Sequence, residues 1–186
     1  MKYLLASKSP RRQELLSLVV KDFEIDAVET NEVIDETIPF AKAIEKVAQG
    51  KAEAVAAKHP DAVIISADTI VTLGNKRYGK PKSEEDAKCM LEELSGNTHE
   101  VITGVCLYYM GKVQTFSNIS KVTFYKLTNQ EIEDYVASKE PLDKAGAYGI
   151  QGLGSLLIKE ISGDFYSIMG LPISQLKREL EEFVKE

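Results

Sequence analysis

Nowhere in the 186 residues do 18 apolar residues run together, so no segment reads as a membrane-spanning helix. The opening MKYLLASKSPRR has too short an apolar run for a secretory signal peptide. A cytoplasmic protein without a membrane partner is the expectation. A basic excess is missing too: 23 Lys and Arg stand against 29 Asp and Glu, a formal charge of −6. That argues against nucleic acid as a partner, because such binding rests on a basic surface. Any anionic ligand must therefore be met locally. Cysteine is scarce, with Cys89 and Cys106 alone; they fall in a helical and a strand-like pattern without ligand-type spacing and read as two buried thiols. Walker-type G-x-x-x-x-G-K-[ST], C-x-x-C and G-x-S-x-G are all absent. His59 and His99 stand in no recognisable catalytic pattern, so neither is assigned a catalytic role.

What is present suits a compact globular chain. An apolar share of 44% with 28% charged residues is ordinary, and 186 residues point to one domain, 1–186. Tyr3 to Ala6 reads as a buried strand. Ser9-Pro10 then supplies an N-cap and a proline at the first helical position, with Leu15, Leu16, Val19 and Val20 as the apolar stripe. A second strand is expected over Phe23 to Val28, and the charged ETNEVIDET over 29–37 reads as an exposed loop. Helical spacing from Phe40 to His59 tolerates Gly50. Ala62 to Ala67 and TIVTL form a strand run that ends at Gly74-Asn75, and capping-box patterns at Ser83/Asp86 and Thr128/Glu131 open two further helices. His99 to Tyr109 and Val113 to Tyr125 suggest a hairpin. Leu156 to Ile161 reads as a strand and Ser174 to Val184 as a closing amphipathic helix. Strands alternating with helices, plus a hairpin, predict an α/β fold with a mixed sheet.

Chemistry concentrates at a few places. Arg11 and Arg12 lie on the first turn of a helix, where the dipole favours anions. With the hydroxyls of Ser7 and Ser9 and free backbone N–H groups they suit a bound phosphate, although an exposed basic turn fits the same residues. Asp68 interrupts the apolar run AVIISADTIVTL. A carboxylate there needs a partner, so it is either a satisfied strand-end acid or a metal ligand or general base. Glu32 offers a second carboxylate from a loop that otherwise reads as solvated charge. Lys80 and Lys82 flank a proline that keeps the backbone extended. KAGAYGIQGLG carries four glycines, which suits either tight turns or backbone passing close to a ligand. Basic groups together with carboxylates fit a nucleoside triphosphate and its Mg²⁺.

Taken together, LASKSPRRQELL (5–16), SADTIV (66–71), GKP (79–81), MLEELSGNTHEVITGV (90–105), EPLDKAGAYGIQGLG (140–154) and GDFYSIMGLPIS (163–174) resemble the Maf family of nucleoside triphosphate pyrophosphatases. The resemblance implies a Maf and inosine triphosphate pyrophosphatase type of fold, with an elongated mixed sheet flanked by helices and two lobes around a central cleft. It implies hydrolysis between the α and β phosphates with a divalent metal, Mg²⁺ or Mn²⁺. Asp68 matches the proton acceptor and, with Glu32, a metal ligand; Ser7, Ser9, Arg12, Lys51 and Lys80 match phosphate-binding positions. Asn31 stands where a second acid is common in the family. Arg11, Thr69 and Gln151 match the specificity positions of the branch acting on dTTP and UTP; the sister branch acting on 7-methyl-GTP carries tryptophan, glutamine and glutamate there. The amide of Gln151 offers both a donor and an acceptor, as the uracil or thymine edge does. The resemblance leaves open a homodimer, and also a nucleotide-binding regulator of septum formation without turnover.

Overall fold

The structure is a computed structural model that describes residues 1–30 and 32–185, so Asn31 lies outside the described residues. The elements in chain order are β1 (Lys2–Leu5), α1 (Pro10–Ser17), β2 (Glu24–Ile25), α2 (Phe40–Ala56), β3 (Ala62–Leu73), β4 (Lys76–Tyr78), α3 (Glu84–Leu94), β5 (Thr98–Tyr109), β6 (Lys112–Phe124), α4 (Asn129–Ala137), β7 (Ile158–Ser162), α5 (Phe165–Met169) and α6 (Ile173–Phe183). The strands form one sheet in the order β2-β1-β3-β5-β6-β7, with β4 beside β3. β1 pairs in parallel with β2 and β3, whereas β3–β4 and β6–β7 are antiparallel. The expected α/β class with a mixed sheet is borne out. By its internal contacts the chain divides into two compact units, one of residues 1–69, 103–118 and 166–186, the other of 70–102 and 119–165.

In the first unit, β1 buries Leu4 and Leu5, and the chain turns directly into α1, whose Leu15 and Leu16 are buried. Ser9 takes the N-cap place with Pro10 behind it, but its side chain caps nothing; its N–H instead donates to Ser7 Oγ at 3.3 Å. The second strand is only two residues long, both exposed, because its register follows just Leu4 and Leu5 of β1. α2 packs Ala48, Ala52 and Val55 into a cluster with Leu4, Ala6, Ile64 and Cys106. Such small side chains let a helix lie close to a sheet. Closest of all is Gly104 on β5, where an added Cβ would stand 2.4 Å from Ile44 Cγ2 and 2.7 Å from Glu45 N. Glu45 is itself buried, and accepts from Lys42 at 2.8 Å, Ser117 at 2.8 Å and Thr115 at 3.0 Å, which ties the start of α2 to β6.

In the second unit the Thr128 capping box is complete, each half of it bonded. The Ser83 box is half made. Ser83 accepts from Asp86 N–H, but Asp86 takes the N–H of Lys82 at 2.8 Å instead of that of Ser83. Cys89 corrects the reading of two buried thiols: it is exposed, because α3 turns Ala87, Leu91 and Leu94 inward. Only Cys106 is buried.

His99 is fully enclosed, edge-on to Phe124 and Tyr148, and its Nε2 lies 2.7 Å from the Tyr148 hydroxyl. Burial holds its pKa down at about 4. The unfolded chain, with an ordinary histidine, therefore binds more protons between pH 6.5 and 4. Stability present above that window is lost as pH falls through it, by up to ~3 kcal/mol. Thermal unfolding of wild type and His99→Gln across pH 4–7 checks this, the variant being expected to show the shallower slope over that range.

Candidate functional site

The candidate site grows from the carboxyl end of β1. β1 stops pairing with β3 at Leu5↔Ile65, followed by a last bond from Ala6 N–H to Ile65 O at 2.8 Å. β3 runs on beyond it, and Asp68 and Thr69 are two half-buried residues in an otherwise largely buried strand. The end of a parallel strand with a helix starting beside it is where open α/β sheets place ligands.

Two clusters form there within the first unit. Lys51, on α2, lies between two carboxylates: Nζ is 2.6 Å from Asp68 Oδ1 and 2.8 Å from Glu32 Oε1. Lys51 and Asp68 keep only 14% and 15% of their side chains exposed, against 51% for Glu32, so the inner pair carries most of the electrostatic weight. Among the described residues no group of three or more His, Cys, Asp or Glu side chains could hold a metal. Glu32 and Asp68 nonetheless converge on one cationic atom. A pair of carboxylates of this kind fits a hard cation that takes its remaining ligands from phosphate and water.

The second cluster is built on Arg12. Its Nε donates to Gly170 O at 2.9 Å, Nη1 to Ser7 Oγ at 3.4 Å and Nη2 to Thr69 Oγ1 at 3.1 Å. Burial pulls its pKa below the usual range, the charge of Asp68 opposes that pull, and Arg11 adds to it. A guanidinium stays charged even so, which makes those acceptors necessary. Thr69 Oγ1 is 2.8 Å from Thr103 Oγ1, and Thr103 donates to Ser167 O at 2.8 Å. With its one hydrogen so used, Thr103 must accept from Thr69. The bonds thus run in one direction from Arg12 through two hydroxyls to a carbonyl.

Arg11 is half-buried on the first turn of α1 and makes no ion pair among the described residues. That turn carries no acid and no side-chain cap, so its N–H groups remain available to an anion. Of the residues expected from sequence, the structure brings Ser7, Arg12, Glu32, Lys51, Asp68 and Thr69 into direct contacts within the first unit. Lys80 and Gln151 are exposed residues of the second unit, where Gly146 N–H donates to Gly79 O at 3.0 Å and joins the GKP and KAGAYG segments. Thr103, Ser167 and Gly170 were missed as site residues. For Gly170 the signal is a glycine before Leu-Pro, which the structure explains by a φ of 120° and by the approach of Arg12. Nothing in the sequence points to the Thr103–Ser167 bond.

The family model described as Maf-like protein matches residues 2–183. This chain belongs to the Maf family. Among its relatives are proteins called dTTP/UTP pyrophosphatase from Bacillus cereus strain B4264, 50% identical, and from Bacillus thuringiensis subsp. konkukian, 51% identical; each alignment covers 98% of this chain and 95% of the relative. The Bacillus cytotoxicus protein of the same name is 50% identical over the same shares. Among solved structures the Ham1 protein of Staphylococcus aureus superposes with a TM-score of 0.57 at 13% identity, covering 98% of this chain and 99% of that one. At that identity the likeness speaks to fold alone, and it places this Maf chain in the expected fold class. No helix of the described residues is long and apolar enough to cross a membrane.

Proposed function

We infer that this Maf-family chain hydrolyses dTTP and UTP to the nucleoside monophosphate and pyrophosphate. Half identity over nearly the whole length to proteins carrying that name is the observation that carries the reading. The site supports it chemically. Arg12, Ser7 and the open first turn of α1 would hold the phosphates, with Ser9, Lys51 and Lys80 as further contributors. Lys51 engages Oδ1 of Asp68, so Oδ2 is the oxygen that would accept a proton from the attacking water. That water then adds to the α-phosphorus as the bond to the pyrophosphate oxygen breaks. A divalent metal, Mg²⁺ or Mn²⁺, would supply positive charge against the phosphates, with Glu32 and Asp68 as its protein ligands. Arg11, Thr69 and Gln151 would set base preference, the amide of Gln151 matching the donor and acceptor of a uracil or thymine edge. The reaction would take place in the cytoplasm on free nucleotides.

Pyrophosphate release is measured across dTTP, UTP, CTP, GTP and 7-methyl-GTP with Mg²⁺, with Mn²⁺ and with chelator. Release from dTTP and UTP that exceeds release from the purines and stops with chelator is expected. Nucleotide binding without release across the whole panel would overturn hydrolysis and favour a regulator of septum formation.

A further inference from the structure

Three of the four glycines of KAGAYGIQGLG, Gly149, Gly152 and Gly154, gather around the Glu140 carboxylate and the Tyr135 hydroxyl bonded to it. Glu140 opens a 3₁₀ turn, Glu140–Asp143, directly after Lys139, which is in the left-handed region at φ 64°. Its Oε1 accepts from the Tyr135 hydroxyl and from Gly154 N–H, each at 3.0 Å, and its Oε2 accepts from Leu153 N–H at 3.0 Å. The Tyr135 oxygen in turn accepts from Gly149 N–H at 3.1 Å. The segment is thus fastened on both sides of Gln151, at Gly149 before it and at Leu153 and Gly154 after it. Two of these glycines follow from this geometry. At Gly152, φ is 68° and a Cβ would lie 2.7 Å from Glu140 Oε2; at Gly154 a Cβ would lie 2.2 Å from Gly149 O, where the two ends of the loop meet. Lys144 closes the base of the turn, its Nζ donating to Glu140 O at 2.7 Å. All these groups lie in the second unit. Gln151 sits at the apex with its side chain exposed and outside this set of bonds. The donors around Glu140 outweigh its burial and hold its carboxyl below the ordinary range, so it is ionised at neutral pH.

We propose that Glu140, acting together with Tyr135, is a positioning residue that fixes the backbone on either side of Gln151 and thereby sets the pyrimidine preference. The proposal rests on the reading that Gln151 meets the nucleobase. In Glu140→Gln one acceptor becomes an NH₂ group, which cannot accept the Leu153 N–H. One side of the loop is released while Arg12 and Asp68 are untouched. Binding held equally in the ground and transition states shows in KM. Glu140→Gln is therefore expected to raise KM for dTTP and UTP, to lower the UTP-over-GTP ratio of kcat/KM by about tenfold, and to change kcat at saturation much less. Tyr135→Phe removes the acceptor for Gly149 N–H and should act in the same direction to a smaller extent.

The assay sets wild type, Glu140→Gln, Tyr135→Phe, Gln151→Ala and Glu140→Gln/Gln151→Ala against UTP and GTP, with thermal unfolding of each. In support, Gln151→Ala collapses the ratio and adding Glu140→Gln to it brings no further change, which marks the two as one unit. If Gln151→Ala collapses the ratio while both loop variants keep it, the positioning role falls and the reading of Gln151 stands. If Gln151→Ala itself keeps the ratio, the reading of Gln151 falls and takes the proposal with it. An equal loss of kcat on both nucleotides at unchanged KM, the mark of a merely less folded enzyme, also overturns the role. Should Glu140→Gln not fold, Tyr135→Phe decides by the same criteria.

Discussion

Asp68→Asn is expected to lower kcat for dTTP and UTP by about 10²–10⁴-fold, the usual worth of a positioned general base, while the protein still folds and still binds nucleotide. An amide keeps the size of the carboxylate but cannot take a proton from water. Folding survives because Lys51 keeps Glu32 at 2.8 Å when it loses the charge of Asp68, and so is not left as a lone buried cation. Nucleotide affinity is largely kept because the hydrogen bonds of Arg12 run to Ser7, Thr69 and Gly170 and none to Asp68. Pyrophosphate release, nucleotide binding and thermal unfolding of the variant check the three parts separately. Turnover like that of wild type would remove Asp68 from the role of base.

The largest effect on stability is expected from Gly104→Ala. A methyl group there has no free space: it would lie 2.4 Å from Ile44 Cγ2 and 2.7 Å from both the Ile44 carbonyl carbon and Glu45 N. Two of those three atoms are backbone, so no rotamer change relieves the clash and α2 itself has to move away from β5. Overpacking commonly costs ~1–3 kcal/mol, and contact with backbone puts this case at the upper end. For a chain of this size that corresponds to a Tm lower by about 6–12 °C. Calorimetry of the variant measures it, and an unchanged Tm would mean that helix and strand do not approach this closely. Some activity should go with it, since α2 also carries Lys51.

Local signals in the sequence were reliable where the chemistry is local. The Thr128 box, the Gly74-Asn75 turn and the strand-to-helix corner at Pro10 each depend on residues within a few positions of one another. Ser83 shows the limit, since Asp86 took the N–H of Lys82, which no pattern specifies. The expected Phe23–Val28 strand shrank to Glu24–Ile25, and on its far side the reason is that β1 ends at Leu5 and leaves the residues after Ile25 no strand to pair with. Cys89 was misread for a related reason: which face of α3 is buried depends on what packs against it. The site was legible as a set of residue types but not as a set of contacts. Lys51 and Asp68 are joined across 17 positions and Thr103 and Ser167 across 64, distances over which periodicity carries nothing. The turns around Glu140 have no period at all; only their glycines showed, and as a density without a cause.

The one-way run of hydroxyl bonds from Arg12 has a bearing on selectivity. Thr69 gives its only hydrogen to Thr103 and receives one from Arg12, so what it can still present to a ligand is a lone pair. A threonine usually greets donors and acceptors alike; this one is polarised into an acceptor by Arg12 on one side and by the buried Thr103 on the other. An N–H or O–H arriving at that oxygen would be welcomed and a carbonyl oxygen turned away. The discrimination is written into the direction of two hydrogen bonds, one of which ends on the backbone of Ser167.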